Sequence, residues 1–141
     1  MSMETPYIIK GGEYTDERGQ ICYNNKFDLS DIKRIYTIEN WTDKVIRGWQ
    51  GHKIERRWFS AVNGAFKIDL IAIDNWDKPS KDCRLFSFKL ESDELDVLCV
   101  PKGYISKIQS LKPTSKLLVM ADYLIGEVKD EYRYELDYFE E

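Results

Sequence analysis

A single histidine, His52, is the whole imidazole content of the 141 residues. That scarcity argues against the usual β-barrel metal centre, which wants two or more imidazoles beside a carboxylate. Cysteine is sparse as well. Cys22, Cys83 and Cys99 are odd in number, far apart and form no C-x-x-C pair. The expectation is reduced, partly buried thiols in a cytoplasmic protein. No apolar run approaches the roughly 20 residues that a membrane helix needs. The opening MSMETPYIIK also lacks the charged-then-apolar layout of a secretory signal, so no membrane attachment is expected. Basic residues are outnumbered, 21 Lys and Arg against 25 Asp and Glu, for a net charge of −4. General nucleic-acid binding needs a basic face, and this balance argues against it. Repeats, low-complexity segments and linkers are missing too.

What is present is apolar and aromatic. Apolar residues make up 43% of the chain and aromatic ones 13%, enough for a globular core in one domain over 1–141. Runs rich in β-branched and aromatic residues predict strands at 20–27, 32–39, 56–63, 65–73, 84–90, 95–100 and 115–122. In 65–73 the alternation is incomplete, which predicts a strand covered on both faces. Asn63-Gly64 between two such runs is a strong hairpin signal. Residues 75–83 read as a polar loop, and Pro101-Lys102-Gly103 as a tight turn between strands. Short strands at this spacing predict an antiparallel sandwich or barrel. The tyrosine-rich stretch from Ala121 onward fits either a terminal helix or an extended arm, and its acids read as a solvated end.

The chemistry-bearing residues crowd into VIRGWQGHKIERRWF, Val45 to Phe59. Gln50 and His52, two apart, share one strand face, and Glu55 follows. One imidazole, one amide and one carboxylate form a poor transition-metal set, so no metal is expected. An imidazole both takes and gives a proton near neutral pH. The cations Arg47, Lys53, Arg56 and Arg57 favour its neutral form and suit an anionic substrate, arginine being matched to phosphate. Gly48 and Gly51 are expected to let backbone approach a ligand. A lone histidine between glycine and lysine is also compatible with a strand residue whose only task is a satisfied hydrogen bond.

The ordered set DERGQI (16–21), VIRGWQGHK (45–53), Asn63-Gly64, VPKGYIS (100–106) and ADY (121–123) resembles the RmlC-like cupins, the dTDP-4-dehydrorhamnose 3,5-epimerase family. It is nearer to their small relatives, the dTDP-sugar 3,4-ketoisomerases and WxcM-like sugar epimerases. The resemblance implies an all-β jelly-roll cupin barrel (a double-stranded β-helix) with a short C-terminal tail, usually a homodimer. It implies a dTDP-linked 4-keto-6-deoxy sugar as substrate in surface-polysaccharide biosynthesis, and neither cofactor nor metal. Proton removal beside the ketone then falls to His52, with Gln50 and Tyr36 as supporting donors. Arg18, Arg47, Lys53, Arg57 and Tyr104 are the implied substrate-binding residues, Arg18 and Arg47 near the diphosphate or sugar.

The chain departs from these relatives at informative places. The ketoisomerase pattern Arg-Gly-x-His-Ala-His-Lys has Gln50 at its first histidine, while His52 and Lys53 match. The epimerases carry their catalytic histidine where Gln50 stands. They also place a histidine after the Pro-x-Gly turn, where this chain has Ser106, and their lysine falls near Arg57. One imidazole suits moving a proton between adjacent carbons. At this level three readings stay open: an isomerase, a cupin that binds a nucleotide sugar or partner enzyme without catalysis, and a structural barrel.

Overall fold

The computed structural model describes residues 4–140. Strands carry the architecture, and no helix occurs among the described residues. They are β1 Tyr7–Ile9, β2 Gly12–Asp16, β3 Gly19–Tyr23, β4 Arg34–Glu39, β5 Ile46–His52 and β6 Arg57–Asn63. The second half adds β7 Ala65–Ala72, β8 Leu85–Glu91, β9 Val97–Val100, β10 Tyr104–Ser110, β11 Lys116–Ala121 and β12 Tyr132–Arg133. One antiparallel sheet runs β1-β9-β6-β11-β4, a second β12-β5-β10-β7-β8, and β2-β3 form a separate ribbon. From β4 onward the chain passes back and forth between the two large sheets, except that β7 and β8 pair within the second, which is the jelly-roll arrangement.

This shuttling corrects one expectation. The strands either side of Asn63-Gly64, β6 and β7, do not pair; they belong to different sheets. The dipeptide turns a corner between layers. Pro101–Gly103 does the same between β9 and β10. Gly64 does take a positive φ of 73°, but a two-residue break does not reveal which sheet the next strand joins. The tail resolves as an extended arm that adds β12 beside β5.

Register explains where the core ends and the cavity begins. Across β4, β11 and β6 three rows stack: Ile38–Leu117–Ala61, Tyr36–Val119–Phe59 and Arg34–Ala121–Arg57. Ile38, Leu117, Ala61, Val119 and Phe59 of the first two rows join Phe66, Ile68 and Leu70 of β7 and Leu98 of β9 in the core, while Tyr36 stays outside it. Each such buried side chain contributes about 1.5–3 kcal/mol. The last row carries two guanidinium groups and cannot close the sandwich in the same way. β7 is buried on both faces, as its run predicted, because the outer face of its sheet is also covered. There Trp49, Ile71, Ile73 and Ile105 lie under Trp76, Tyr134 and Phe139.

Candidate active site

A cavity of about 420 Å³ opens between β4 of one sheet and β5 of the other. That is within the size range of small-molecule sites. Tyr36, Arg47, Gln50, His52, Arg57 and Tyr104 all line it. Six of the eight residues singled out from the sequence therefore converge on one space.

β5 supplies three of them. Alternation puts Gln50 and His52 on the inner face. Arg47 joins them through a bulge: β10 pairs Ser106 with Gln50 and Ile108 with Arg47, so two β5 residues face Lys107 alone. Gly48 sits in that bulge with φ of 149°. A Cβ there would lie 2.8 Å from the Lys107 Cα and the Ser106 carbonyl oxygen. At Gly51 it would collide with the Tyr104 carbonyl oxygen. The paired glycines thus admit the backbone of β10, a nearer requirement than the expected approach of a ligand.

Arg47 is anchored from behind. Its Nε donates to the Asn40 Oδ1 at 2.7 Å, and the Asn40 amide donates to the Ser110 Oγ at 3.0 Å. Asn40 and Ser110 are buried, while Arg47 as a residue is exposed.

His52 is held more tightly, its side chain only 12% exposed. Its Nδ1 lies 3.0 Å from the Asp130 carbonyl oxygen and 3.6 Å from the Glu55 Oε2. The carbonyl can only accept, which assigns the proton to Nδ1 and leaves Nε2 as the basic nitrogen, with the Glu55 carboxylate nearby on the same side. Glu55 also accepts from Arg57 Nη1 at 3.1 Å and lies 3.8 Å from Arg34 Nη2. Burial, and then the Arg57 guanidinium, push the imidazole below its ordinary 6.5; Glu55 and Asp130 pull the other way without reversing it. At pH 7 the ring is therefore a neutral base.

Tyr36 lines the cavity from β4, with the Arg34 guanidinium 5.3 Å from its ring centre. Gln50 donates its amide to Glu131 of the tail, which also pairs with Arg133 at 2.8 Å. Tyr104 is a buried wall whose hydroxyl donates to the Glu4 carbonyl at 2.6 Å, so it offers its ring rather than a free O–H.

Two sequence candidates lie elsewhere in the single chain. Lys53 follows the last residue of β5; its amide donates to Asp130 and its side chain is exposed outside the cavity. Arg18 caps the β2–β3 turn, its guanidinium paired with Asp16 at 2.7 Å and its side chain 78% exposed. A run of basic residues near His52 does not specify which of them leave the strand, and Arg18 sits on a ribbon that projects from the body.

Sequence reasoning missed Asp130 and Asn40. Asp130 stands 78 residues from its imidazole partner, and no local pattern links them. His52, Glu55 and Asp130 do bring one ligand atom each within 4.8 Å of one another. Their atoms are committed, however. Both Asp130 carboxylate oxygens accept backbone N–H groups, Glu55 holds Arg57, and Nδ1 faces a carbonyl. These donors therefore already have protein partners, and the trio offers a single imidazole.

The model of one protein family, described as WxcM-like, C-terminal, matches residues 5–141. The chain belongs to that family. No curated relative matches the sequence. Among solved structures, the family member here is similar to a mutant of the 3,4-ketoisomerase QdtA from Thermoanaerobacterium thermosaccharolyticum, crystallised with TDP-4-keto-6-deoxyglucose. The two share 22% identity at a TM-score of 0.72 over 98% of this chain and 94% of that one. A 3,4-ketoisomerase from Helicobacter canadensis shares 21% identity at 0.70, over 95% and 94%. The rmlC epimerase of Mycobacterium tuberculosis shares 14% at 0.76, over 94% and 70%. These likenesses establish the jelly-roll cupin fold that the sequence resemblance implied.

Proposed function

We propose that this WxcM-like chain is a metal-independent isomerase or epimerase of a nucleotide-linked 4-keto-6-deoxy sugar, with dTDP as the nucleotide. One observation carries the reading. A largely buried imidazole, held at Nδ1 by a main-chain carbonyl, lines a cavity large enough for a hexose together with Arg47 and Arg57.

The chemistry follows from those positions. Nε2 takes the proton from the carbon beside the ketone, and the C–H electrons become the enolate while its oxygen gathers the negative charge. Gln50, Tyr36 and Arg57 are the groups placed to stabilise that oxygen. The imidazolium then returns the proton. Delivery to the former carbonyl carbon, with the hydroxyl proton of the first carbon passing to the enolate oxygen, moves the ketone, and a single base serving both carbons from one side suits that outcome. Arg47, exposed at the mouth and anchored through Asn40, is the residue for the diphosphate. Surface-polysaccharide biosynthesis in the cytoplasm is the setting proposed with this activity.

A homodimer belongs to the same proposal. Tyr14 and Ile21, cross-strand neighbours on the β2–β3 ribbon, are 58% and 60% exposed, and a lone two-stranded ribbon is marginal in water. A second copy covering them gives Arg18 a route to a neighbouring cavity.

A proton NMR time course in deuterium oxide with dTDP-4-keto-6-deoxyglucose tests the reading. Deuterium entering the sugar beside the ketone, and its loss in His52→Asn, is the expected result. Binding without exchange in the unaltered protein would sink catalysis and leave the binding-only cupin.

A further inference from the structure

The strand that carries His52 ends at that residue, and the next three residues have amide groups with no strand partner. A single side chain collects all three. The Asp130 carboxylate accepts from the amides of Lys53 at 3.0 Å, Ile54 at 2.8 Å and Glu55 at 2.7 Å. The same residue's main-chain carbonyl is the acceptor 3.0 Å from the His52 Nδ1. Asp130 is almost fully buried, and the chain after it is pinned to β5: Tyr134 and Trp49 exchange main-chain hydrogen bonds of 2.9 and 3.2 Å.

We infer that Asp130 is a positioning residue: its carboxylate anchors the 53–55 turn while its carbonyl fixes His52 as the Nδ1–H tautomer with Nε2 directed to the cavity. The inference rests on the proton-transfer reading for its consequence, but not for its geometry. The two roles reinforce one another. Three amide donors lock the carboxylate, and the locked main chain places the carbonyl. A buried carboxylate accepting three N–H bonds loses all of them when truncated, so the turn, the Glu55 side chain and the imidazole shift together.

Other charges face the ring and have to be separated from this effect. Glu55 approaches from the following turn, Arg57 from β6, and Arg34 reaches Glu55 from β4; Tyr104 is the cross-strand partner on β10. Asp130→Asn removes the negative charge and one acceptor while keeping the volume. Asp130→Ala removes every acceptor of the side chain.

The single histidine makes the test direct, since a ¹⁵N-histidine-labelled full chain has one imidazole to observe. In the unaltered protein the two nitrogens should show Nδ1 protonated and Nε2 bare at neutral pH. Asp130→Asn should lower the ring's titration midpoint, because a carboxylate that favours the charged form is gone. Asp130→Ala should give a tautomer mixture. For the reaction, Asp130→Asn should lower kcat by about 100-fold, the scale of a misplaced catalytic group, with KM within about threefold. An Nε2–H tautomer in the unaltered protein would overturn the inference even if no variant folds. So would an unchanged tautomer and midpoint in folded Asp130→Asn and Asp130→Ala. Absence of turnover in the unaltered protein counts against the proposed function alone, because the spectrum is read without substrate.

Discussion

Arg47 and His52 face one cavity from one strand although their spacing is odd, and regular alternation would send them to opposite faces. The bulge at Gly48 reconciles the two, inserting one residue so that the guanidinium turns inward. In the proposed reading, the anion-binding and proton-transfer ends of the site are set in register by a single glycine. Gly48→Ala should cost about 1–3 kcal/mol of stability, from the positive φ and the contact with β10. It should also weaken dTDP binding. Chemical denaturation and calorimetric titration measure both; unchanged nucleotide affinity in the folded variant would separate Arg47 from the bulge.

Asn40 holds that guanidinium, so Asn40→Ala should raise KM by about tenfold, near 1.4 kcal/mol, with kcat little changed. Steady-state kinetics decides. A fall in kcat at constant KM would show that Arg47 acts in the chemical step.

The depressed imidazole has two pH signatures. kcat/KM should fall on acidification with a midpoint below 6.5, as the base becomes charged. Stability changes in the same direction. The unfolded chain, with an ordinary imidazole, binds a proton at higher pH than the folded chain does. The folded state therefore loses stability as pH drops from about 6.5 to the lower folded midpoint. His52→Asn should lack that component. Denaturation curves of both proteins across this window measure it, and identical pH slopes would refute the buried neutral ring.

If Arg18 serves a neighbouring copy, Arg18→Ala and His52→Asn should each be inactive as pure proteins, yet regain activity when mixed and allowed to exchange subunits. A hybrid has one site with both intact residues. Failure of mixing to restore turnover, in samples shown by light scattering to be hybrid dimers, removes Arg18 from the site.

Alternation and run length made much of the architecture legible. The apolar run of β7 announced a strand covered on both faces, and the period of two placed Gln50 and His52 side by side. The corner at Asn63-Gly64 was not legible as such, because turn chemistry fixes local dihedral angles and not sheet membership. Arg47 could be aimed only by knowing the bulge, whose cause is the backbone of β10. Asp130 was hidden by distance along the chain, since nothing near it in sequence needs an acceptor for three amides. The ionic character of 45–57 was plain, but not its division into cavity-facing Arg57 and solvent-facing Lys53.

The shuttling of strands between the two large sheets has a kinetic consequence. Only β2–β3 and β7–β8 pair with an immediate neighbour along the chain; every other ladder joins segments far apart in sequence. Such a layout closes long loops before contacts reward them, which places refolding in the slow range of all-β domains, about milliseconds to seconds. While that proceeds, the apolar strands that end up in the interior are open to neighbouring chains. Dilution and low temperature during renaturation are therefore the conditions under which this topology returns in high yield.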